Sequence, residues 1–140
     1  MKNVLFVLTL LFAGLSLSAQ NSRVDNNVNT HCYHDNDTLT NAATVTQTYS
    51  QALTYPYNYQ INLVSDSLSG STAGTTTIYN KAYGQTEWVP VGSTITINGG
   101  LTYTAVTGNV LSGSLKVVTV GSGTQSTRVG VDICVVRKSQ

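Results

Sequence analysis

The side chains with the widest chemical capability lie together in one polar segment, His31-Cys32-Tyr33-His34-Asp35-Asn36-Asp37. Imidazole, thiolate and carboxylate groups are the ligands that Zn²⁺ accepts. Their order matches no common zinc-finger spacing, and Cys32 has a competing partner elsewhere in the chain. A metal site on His31, His34 and Asp35 is therefore the less favoured interpretation. The favoured one is a polar connecting segment that holds no metal or other cofactor.

Cys32 and Cys134 are the two cysteines of the sequence. In an oxidising compartment they can form an intramolecular disulfide. That bond would close a loop of about 100 residues and contribute about 4.7 kcal/mol in the chain-entropy description. Alternation in the last apolar stretch turns Cys134 away from Ile133 and towards the outside, where an N-terminal arm can reach it. We predict this bond, with two free thiols or a bond between chains as the alternatives.

Catalytic constellations are poorly supported by the sequence. A hydrolytic triad needs a histidine beside a serine or cysteine and a carboxylate that orients it. Both histidines lie in the N-terminal polar segment, outside the periodic part of the chain. The acids Asp66, Glu87 and Asp132 are scattered over different segments, and no spacing singles out a pair. We therefore expect no catalytic residues and a non-enzymatic protein.

Aromatic side chains are the candidates for ligand binding. Tyr55, Tyr57 and Tyr59 share one face of an alternating segment and can either stack on sugar rings or line a core. Ile61 continues the same face, which favours the core. Trp88 either plugs the edge of the core or offers a binding platform, and the plug is favoured.

Composition limits the partners and the compartment. Residues 1–19 have the layout of a secretory signal peptide: Lys2, an apolar run from Val4 to Phe12, and a small-residue end at Ala19. Without Lys2 the chain is close to electrically neutral, so a nucleic-acid partner, which needs a basic face, is not expected. Charged residues make up 9% of the sequence, against about 25% in ordinary domains. We predict a secreted or cell-surface protein with no membrane span after processing.

The elements that position these residues are short strands. Residues 20–36 lack apolar periodicity and predict an extended arm or linker, and 37–140 predicts one domain. Its period-2 stretches are 38–40, 44–49, 55–64, 75–82, 87–89, 93–97, 101–106, 115–120 and 127–137. Asn98-Gly99-Gly100 predicts a hairpin between two of them. About eight short strands separated by turn signals predict an all-β protein, an antiparallel β-sandwich or jelly roll.

Several segments carry a resemblance to known proteins. The stretch Leu15-Ser16-Leu17-Ser18-Ala19-Gln20 resembles the end of Bacteroidetes signal peptides. The segments Asp37–Ala42, Leu68–Thr75 with the following Trp88, and Thr119–Thr127 resemble small β-sandwich structural proteins of that phylum and its phages. The resemblance implies a module of a cell surface or virion surface and carries over no catalytic residue.

Three functions follow as expectations, in decreasing order of support. The first is an exported structural or assembly module that self-associates as a homo-oligomer or packs on a larger surface structure, since low charge and Thr-rich strands suit lateral packing. The second is a carbohydrate-binding or adhesion module that uses Trp88 or the tyrosines. The third is a hydrolase, which would require two of Asp66, Glu87 and Asp132 to converge in one cleft.

Overall fold

A computed structural model describes residues 23–26 and 30–138, so the predicted signal peptide at 1–19 lies outside the described residues. The described part consists of ten strands and contains no helix. No helix there is long and apolar enough to cross a membrane. The strands are β1 (Arg23–Asn26), β2 (Thr30–Thr40), β3 (Thr44–Leu53), β4 (Tyr57–Gly70), β5 (Ala73–Lys81), β6 (Val89–Pro90), β7 (Ile95–Asn98), β8 (Thr102–Val110), β9 (Gly113–Gly121) and β10 (Gln125–Arg137).

The strands form two antiparallel sheets. Sheet A has the order β1-β2-β10-β4-β8, and sheet B has the order β3-β9-β5-β6, with β7 also pairing with β5. From β2 onwards the chain crosses repeatedly between the sheets, and β6 and β7 together occupy one strand position. This is the strand order of an eight-stranded jelly roll with one added edge strand, β1. The predicted fold class is confirmed.

Alternation along β4 builds the centre of the core. Tyr57, Tyr59, Ile61 and Leu63 are buried, while the residues between them face outwards. This inward row packs with the inward rows of β3, β5, β9 and β10 into one cluster. Its buried members are Tyr49, Leu53, Tyr57, Tyr59, Ile61, Leu63, Ile78, Leu115, Val117, Val131, Ile133 and Val135. The period-2 pattern therefore predicted the core face of β4 correctly.

The other end of the interior is rich in hydroxyl groups. A smaller apolar cluster of Leu39, Val45, Ile97 and Val129 lies there. Buried threonine pairs bridge the strands around it: Thr72 to Thr127, with 3.0 Å between the Oγ1 atoms, and Thr76 to Thr119, also 3.0 Å. Because each hydroxyl finds a partner, threonine is tolerated at positions where the pattern would place aliphatic residues.

Strand β2 begins at Thr30, so the polar segment expected in an arm before residue 37 belongs to sheet A. It lies between β1 and β10. The sequence pattern missed it because the inward side of β2 carries polar groups here. Asp35 is 1% exposed, and the Tyr33 hydroxyl donates a 2.8 Å hydrogen bond to its carboxylate. A buried polar pair thus replaces the apolar pair that the pattern needed.

The predicted hairpin around Asn98-Gly99-Gly100 is also wrong in its pairing. Gly99 adopts a positive φ of 78°, so the chain does reverse where the turn residues indicated. However, β7 pairs with β5 in sheet B, whereas β8 pairs with β4 in sheet A. The turn therefore carries the chain from one sheet to the other. Turn residues determine where the backbone reverses, but they do not determine which strand the next strand pairs with.

Candidate functional site

A groove runs across the outer face of sheet A, and Gly130 lies at its centre. Gly130 on β10 is paired with Asn36 on β2 and with Val64 on β4, and Val64 is paired in turn with Tyr103 on β8. Because Gly130 has no side chain, the face dips there. The cavity, called the sheet-A groove below, has a volume of about 620 Å³. It is lined by Asn36, Asp37, Thr38, Val64, Asp66, Leu101, Tyr103, Arg128, Gly130 and Asp132.

The side chain of Asn36 leans over the bare backbone of Gly130. A Cβ atom placed on Gly130 would lie 2.6 Å from Asn36 Oδ1 and 3.7 Å from Val64 Cβ. The first distance is shorter than real Cβ contacts allow, so any larger residue would displace the Asn36 amide. The floor of the groove therefore depends on glycine at this position.

Two polar pairs lie on either side of this dip. At one end Arg128 Nη2 lies 2.5 Å from Asp66 Oδ2, and both side chains remain partly exposed. At the other end His34 Nδ1 lies 2.8 Å from Asp132 Oδ1. Arg128 and Asp132 belong to the same strand, with Gly130 midway between them. The groove therefore has fixed polar groups at both ends and an uncharged centre.

Aromatic and aliphatic surface borders the groove on the β8 side. Tyr103 is 73% exposed and Leu101 is 54% exposed, although strand residues of this size are usually buried. A second depression of about 390 Å³ lies beside the first and shares Tyr103 and Asp132 with it. Tyr103 thus lines two neighbouring depressions.

Two of the three scattered acids converge on the sheet-A groove. Asp66 and Asp132 both line it, whereas Glu87 lies just before β6, a strand of sheet B. Asp66 is paired with Arg128 in the register, so Asp132 lies four residues, or roughly 13 Å, further along the sheet. Glycosidase carboxyl pairs lie about 5–9.5 Å apart. Each of the two carboxylates also faces its own nitrogen partner.

The tyrosines named as ligand candidates lie mostly inside the sandwich. Tyr57 is fully buried and Tyr59 is 6% exposed, so neither offers a surface in this structure. The Tyr57 hydroxyl donates a 3.2 Å hydrogen bond to Gly113 O. Burial raises the pKa of both phenols above the ordinary value. Tyr55 precedes β4, is half-buried, and lies 4.7 Å from the Arg137 guanidinium, measured to the ring centroid.

Trp88 is half-buried, and the ammonium groups of two lysines lie over its indole ring. Lys116 Nζ lies 4.6 Å from the centroid of the indole ring, and Lys81 Nζ lies 5.1 Å from it. Lys116 is also 5.1 Å from the ring of Tyr79. Cation–π contacts of this kind hold the ammonium groups in place. The indole is therefore part of an aromatic–lysine cluster on sheet B, rather than an isolated plug or a bare platform.

Cys32 and Cys134 form a disulfide. They are directly paired across β2 and β10, and their Cα atoms lie 4.0 Å apart. The bond was expected to need an arm laid over the sandwich. Instead it joins two neighbouring strands on the outer face of sheet A, because the segment around Cys32 is itself a strand.

The proposed zinc ligands do not converge. Residues of β2 alternate in direction, so His34 shares the outer face with Cys32, whereas Asp35 is buried on the inner side beside Tyr33. His31 alternates with Cys32 and so lies on the same side of the strand as Asp35. Over residues 23–26 and 30–138 no three His, Cys, Asp or Glu side chains form a group that could hold a metal ion.

Sequence reasoning missed Tyr103 and Gly130. The alternation Leu101-Thr102-Tyr103-Thr104 would have turned the large residues inwards. The pairing with β4 turns them outwards, because Thr104 faces the buried Leu63 and Tyr103 faces the outward Val64. Gly130 interrupts the inside–outside alternation of β10, which is a local sign of a close approach or a dip at that point.

The chain was compared with known proteins. No family model and no curated protein matches it. Among solved structures it is similar to a structure of infectious bursal disease virus Gx strain, with a TM-score of 0.48 and 15% identity over 86% of this chain and 34% of that one. It is also similar to the enzymatically active domain of a bacteriophage CBA120 tailspike protein, with a TM-score of 0.44 and 14% identity over 89% and 20%.

A third similarity is to the family 11 carbohydrate-binding module from Clostridium thermocellum, with a TM-score of 0.37 and 9% identity over 89% of this chain and 86% of that one. The chain spans about a third and a fifth of the two viral chains. The strand order by itself defines the protein as an all-β jelly roll.

Proposed function

We propose that this protein is a non-catalytic carbohydrate-binding module and that the sheet-A groove holds the saccharide. The observation that carries the proposal is the exposed ring of Tyr103 beside a depression whose polar groups are already held in place. A sugar ring presents an apolar face that stacks on an aromatic ring, and a rim of hydroxyl groups that both donate and accept hydrogen bonds. Tyr103 suits the first feature and the ends of the groove suit the second.

The paired groups keep hydrogen-bonding capacity for a ligand. An arginine has five N–H donors and a carboxylate has about four acceptor sites. The contact between Arg128 and Asp66 uses only part of either. Since each group is fixed by its partner, binding costs little ordering of side chains. Preorganised donors and acceptors of both kinds match the mixed character of sugar hydroxyls.

The charge of the groove indicates a neutral saccharide. Asp37, Asp66 and Asp132 line it together with a single arginine, Arg128. A uronic acid or sulfated sugar would bring further negative charge towards these carboxylates, and like charges repel. We therefore expect neutral glycans to bind and acidic ones to be rejected.

The absence of catalysis is part of the proposal. It is supported by the partners of the two acids: Asp66 contacts Arg128 and Asp132 contacts His34, so each carboxylate is held by its own nitrogen partner and not by the other. Export is proposed as well, because a disulfide is favoured in an oxidising compartment and the sequence begins with a predicted signal peptide. The link to Bacteroidetes or their phages stays a prediction from the resemblance.

The test is glycan binding by the wild type and by two tyrosine variants. A neutral glycan identified on an array is titrated by calorimetry against wild type, Tyr103→Ala and Tyr83→Ala. Tyr83 is the matched control, since it is 59% exposed in the loop between β5 and β6. Loss of one stacking tyrosine should weaken binding about 10- to 100-fold, whereas Tyr83→Ala should leave the affinity unchanged.

Three results would contradict the proposal. Binding that survives Tyr103→Ala but is lost in Trp88→Ala would put the site at the aromatic–lysine cluster. An array on which no neutral glycan is retained would remove the function altogether. Release of shorter products during incubation with the bound glycan would make the protein an enzyme.

A second candidate function, assembly into a surface structure, is supported by the outer face of sheet B. Two rows of residues cross its strands there: Thr44, Val120, Thr75 and Thr96 in the first, and Thr46, Val118, Thr77 and Thr94 in the second. These residues, called the sheet-B Thr/Val face below, include no charged residue. A neutral face of this kind can pack against another surface without burying charge.

Substitution on this face tests the assembly role. Thr46→Lys and Thr77→Lys together should abolish attachment of the secreted protein to cells or virions if the face packs on them, as measured by fractionation of the producing culture. Unchanged attachment would contradict this candidate. Asn58→Lys, at an exposed position on the outer face of sheet A, serves as the control.

A further inference from the structure

The described strands leave the two sheets with exposed edges, and one edge differs from the rest. Sheet A ends at β1 and β8, and sheet B ends at β3 and at the position shared by β6 and β7. An edge strand presents unpaired N–H and C=O groups that can pair with another strand. Natural proteins blunt such edges by shortness, charge, proline or bulges.

Three of these edges carry blunting features. β1 has four residues and includes Arg23 and Asp25. The pairing of β3 with β9 shifts register between Tyr49 and Leu53. β6 has two residues and ends at Pro90, and β7 beside it has four.

β8 carries none of them. It has nine residues and contains neither a charged residue nor a proline. Its register with β4 runs from Thr102 to Val110 without a shift. On its outer side Tyr103 is 73% exposed, and Leu111, just beyond its end, is 82% exposed. A long, regular and uncharged edge of this kind favours strand pairing.

We propose that two copies of this chain pair through β8, antiparallel, about a two-fold axis at Val106. Val106 is the middle residue of the strand, so this register is the one that overlaps all nine residues with their counterparts. In this isologous contact both copies contribute the same strand, so β8 of one copy pairs with β8 of the other. Because β8 contains no charged residue, two copies can pair along it without bringing like charges together. This favours a second copy over a charged partner as the occupant of the edge.

The side chains in this register are compatible. On the inner side Thr104 faces Gly108 of the second copy, so the branched side chain meets no side chain opposite. On the outer side Tyr103 faces Asn109, and Ala105 faces Thr107. Small and uncharged residues thus meet along most of the contact, which lets the backbones approach to the usual strand spacing of about 4.8 Å.

Pairing would join the two five-stranded A sheets into one continuous sheet. The two Tyr103 rings would then lie on one face, six residues or roughly 20 Å apart along the strands. If the sheet-A groove binds saccharide as proposed above, one long polysaccharide could engage both grooves, and its avidity would exceed the affinity of a single groove. This consequence rests on the proposed function, whereas the pairing itself does not.

The test is the oligomeric state by sedimentation equilibrium. Wild type should sediment as a concentration-dependent dimer. Ala105→Lys with Thr107→Lys places two lysines opposite two others across the axis, and should raise the dissociation constant about tenfold or more. Gln85→Lys with Thr86→Lys, at exposed positions in the loop between β5 and β6, is the matched control and should dimerise like wild type. Urea unfolding of each variant establishes that it is folded.

Charge complementation makes the test specific. Ala105→Glu with Thr107→Glu should also be monomeric alone, and an equimolar mixture with the lysine variant should restore the dimer. In addition, Val106→Cys should form an intermolecular disulfide under mild oxidation, because this residue faces its own copy. A monomeric wild type at millimolar concentration, a dimer unaffected by the lysine pair in β8, or a dimer broken by the lysine pair in the β5–β6 loop would each overturn the proposal.

Discussion

The two sheets have inward faces of the same kind, but their outer faces carry different kinds of residues. On sheet A the outward residues include two hydrogen-bonded polar pairs, the disulfide and a glycine that opens a groove. On sheet B they form neutral rows of threonine and valine, with the aromatic–lysine cluster at one end. The inward residues of both sheets pack into a shared core.

This difference separates what folding requires from what function requires. The inward positions must be apolar or satisfied in their hydrogen bonds, so they constrain both sheets alike. The outward positions are free of that demand and can differ. A face with preorganised polar groups favours a specific small ligand, and a neutral flat face favours packing against another surface.

Removing the disulfide should have the largest effect on stability. The bond joins two strands of sheet A, whereas the described part of sheet B contains no such bond. Cys32→Ser with Cys134→Ser should lower the free energy of unfolding by about 4–5 kcal/mol, because the unfolded chain loses a loop closure of about 100 residues. Urea denaturation measures the change. A reducing agent should destabilise wild type by a similar amount and leave the double serine variant unaffected; an equal response of both proteins would exclude the disulfide as the cause.

Alkaline pH should weaken the core beneath both faces. Burial raises the pKa of Tyr49, on sheet B, to about 12, and raises those of Tyr57 and Tyr59, on sheet A. The unfolded state loses these phenolic protons near the ordinary tyrosine pKa of about 10, while the folded state keeps them. Stability contributed by these groups is therefore fully present below pH about 10 and is lost as the pH rises from there towards about 12.

Urea midpoints measured across this interval check the sign. Tyr49→Phe removes one of the titrating groups and should make the decline of stability with pH shallower. A slope that does not change in Tyr49→Phe would exclude this tyrosine from the effect.

Filling the dip at Gly130 should alter binding more than folding. Gly130→Ala displaces the Asn36 amide, the movable end of an exposed side chain, so the cost in stability should stay within about 1 kcal/mol. The floor of the sheet-A groove would change, and neutral glycan affinity should fall about tenfold. Calorimetry beside urea denaturation separates the two quantities. Val118→Ala, on the sheet-B Thr/Val face, is the comparison that should leave glycan affinity intact.

The smallest effect should come from the Arg128–Asp66 contact. Its arginine side chain is 57% exposed and its aspartate 30% exposed, so water and salt screen the attraction. A double-mutant cycle with Arg128→Ala and Asp66→Ala should give a coupling energy of about 0.2–1 kcal/mol for stability. A coupling of several kcal/mol would mean that the pair holds sheet A together, rather than serving mainly to orient groups in the groove.

The sequence allowed the fold class and the core face of β4 to be predicted, because alternation over Tyr57, Tyr59, Ile61 and Leu63 has one structural solution. It did not allow the start of β2 to be predicted, because the buried inward residue Asp35, which accepts a hydrogen bond from Tyr33, is polar and so leaves no apolar period in the sequence. The sequence did not allow the pairing partner of each strand to be predicted either. A turn at Gly99 indicates reversal of the chain, but only tertiary structure decides between a hairpin and a crossing to the other sheet.

The candidate site was less predictable than the fold for a related reason. Whether Tyr103 faces the core or the solvent depends on its register with β4, and a shift of one residue would exchange the two faces. The groove combines residues from four strands that are distant in sequence. Asp66 and Asp132 were visible as acids, but nothing local indicates that they share a groove.

The position of β10 has a consequence for how the chain reaches its native state. This strand, from Gln125 to Arg137, lies between β2 and β4 in the middle of sheet A. During synthesis sheet A therefore stays open until residue 137 has emerged, and Cys32 must wait for Cys134. Structures with so many distant pairings fold slowly. If the protein is exported as proposed above, a sheet A that stays open during synthesis allows the chain to pass through a translocation channel before it folds.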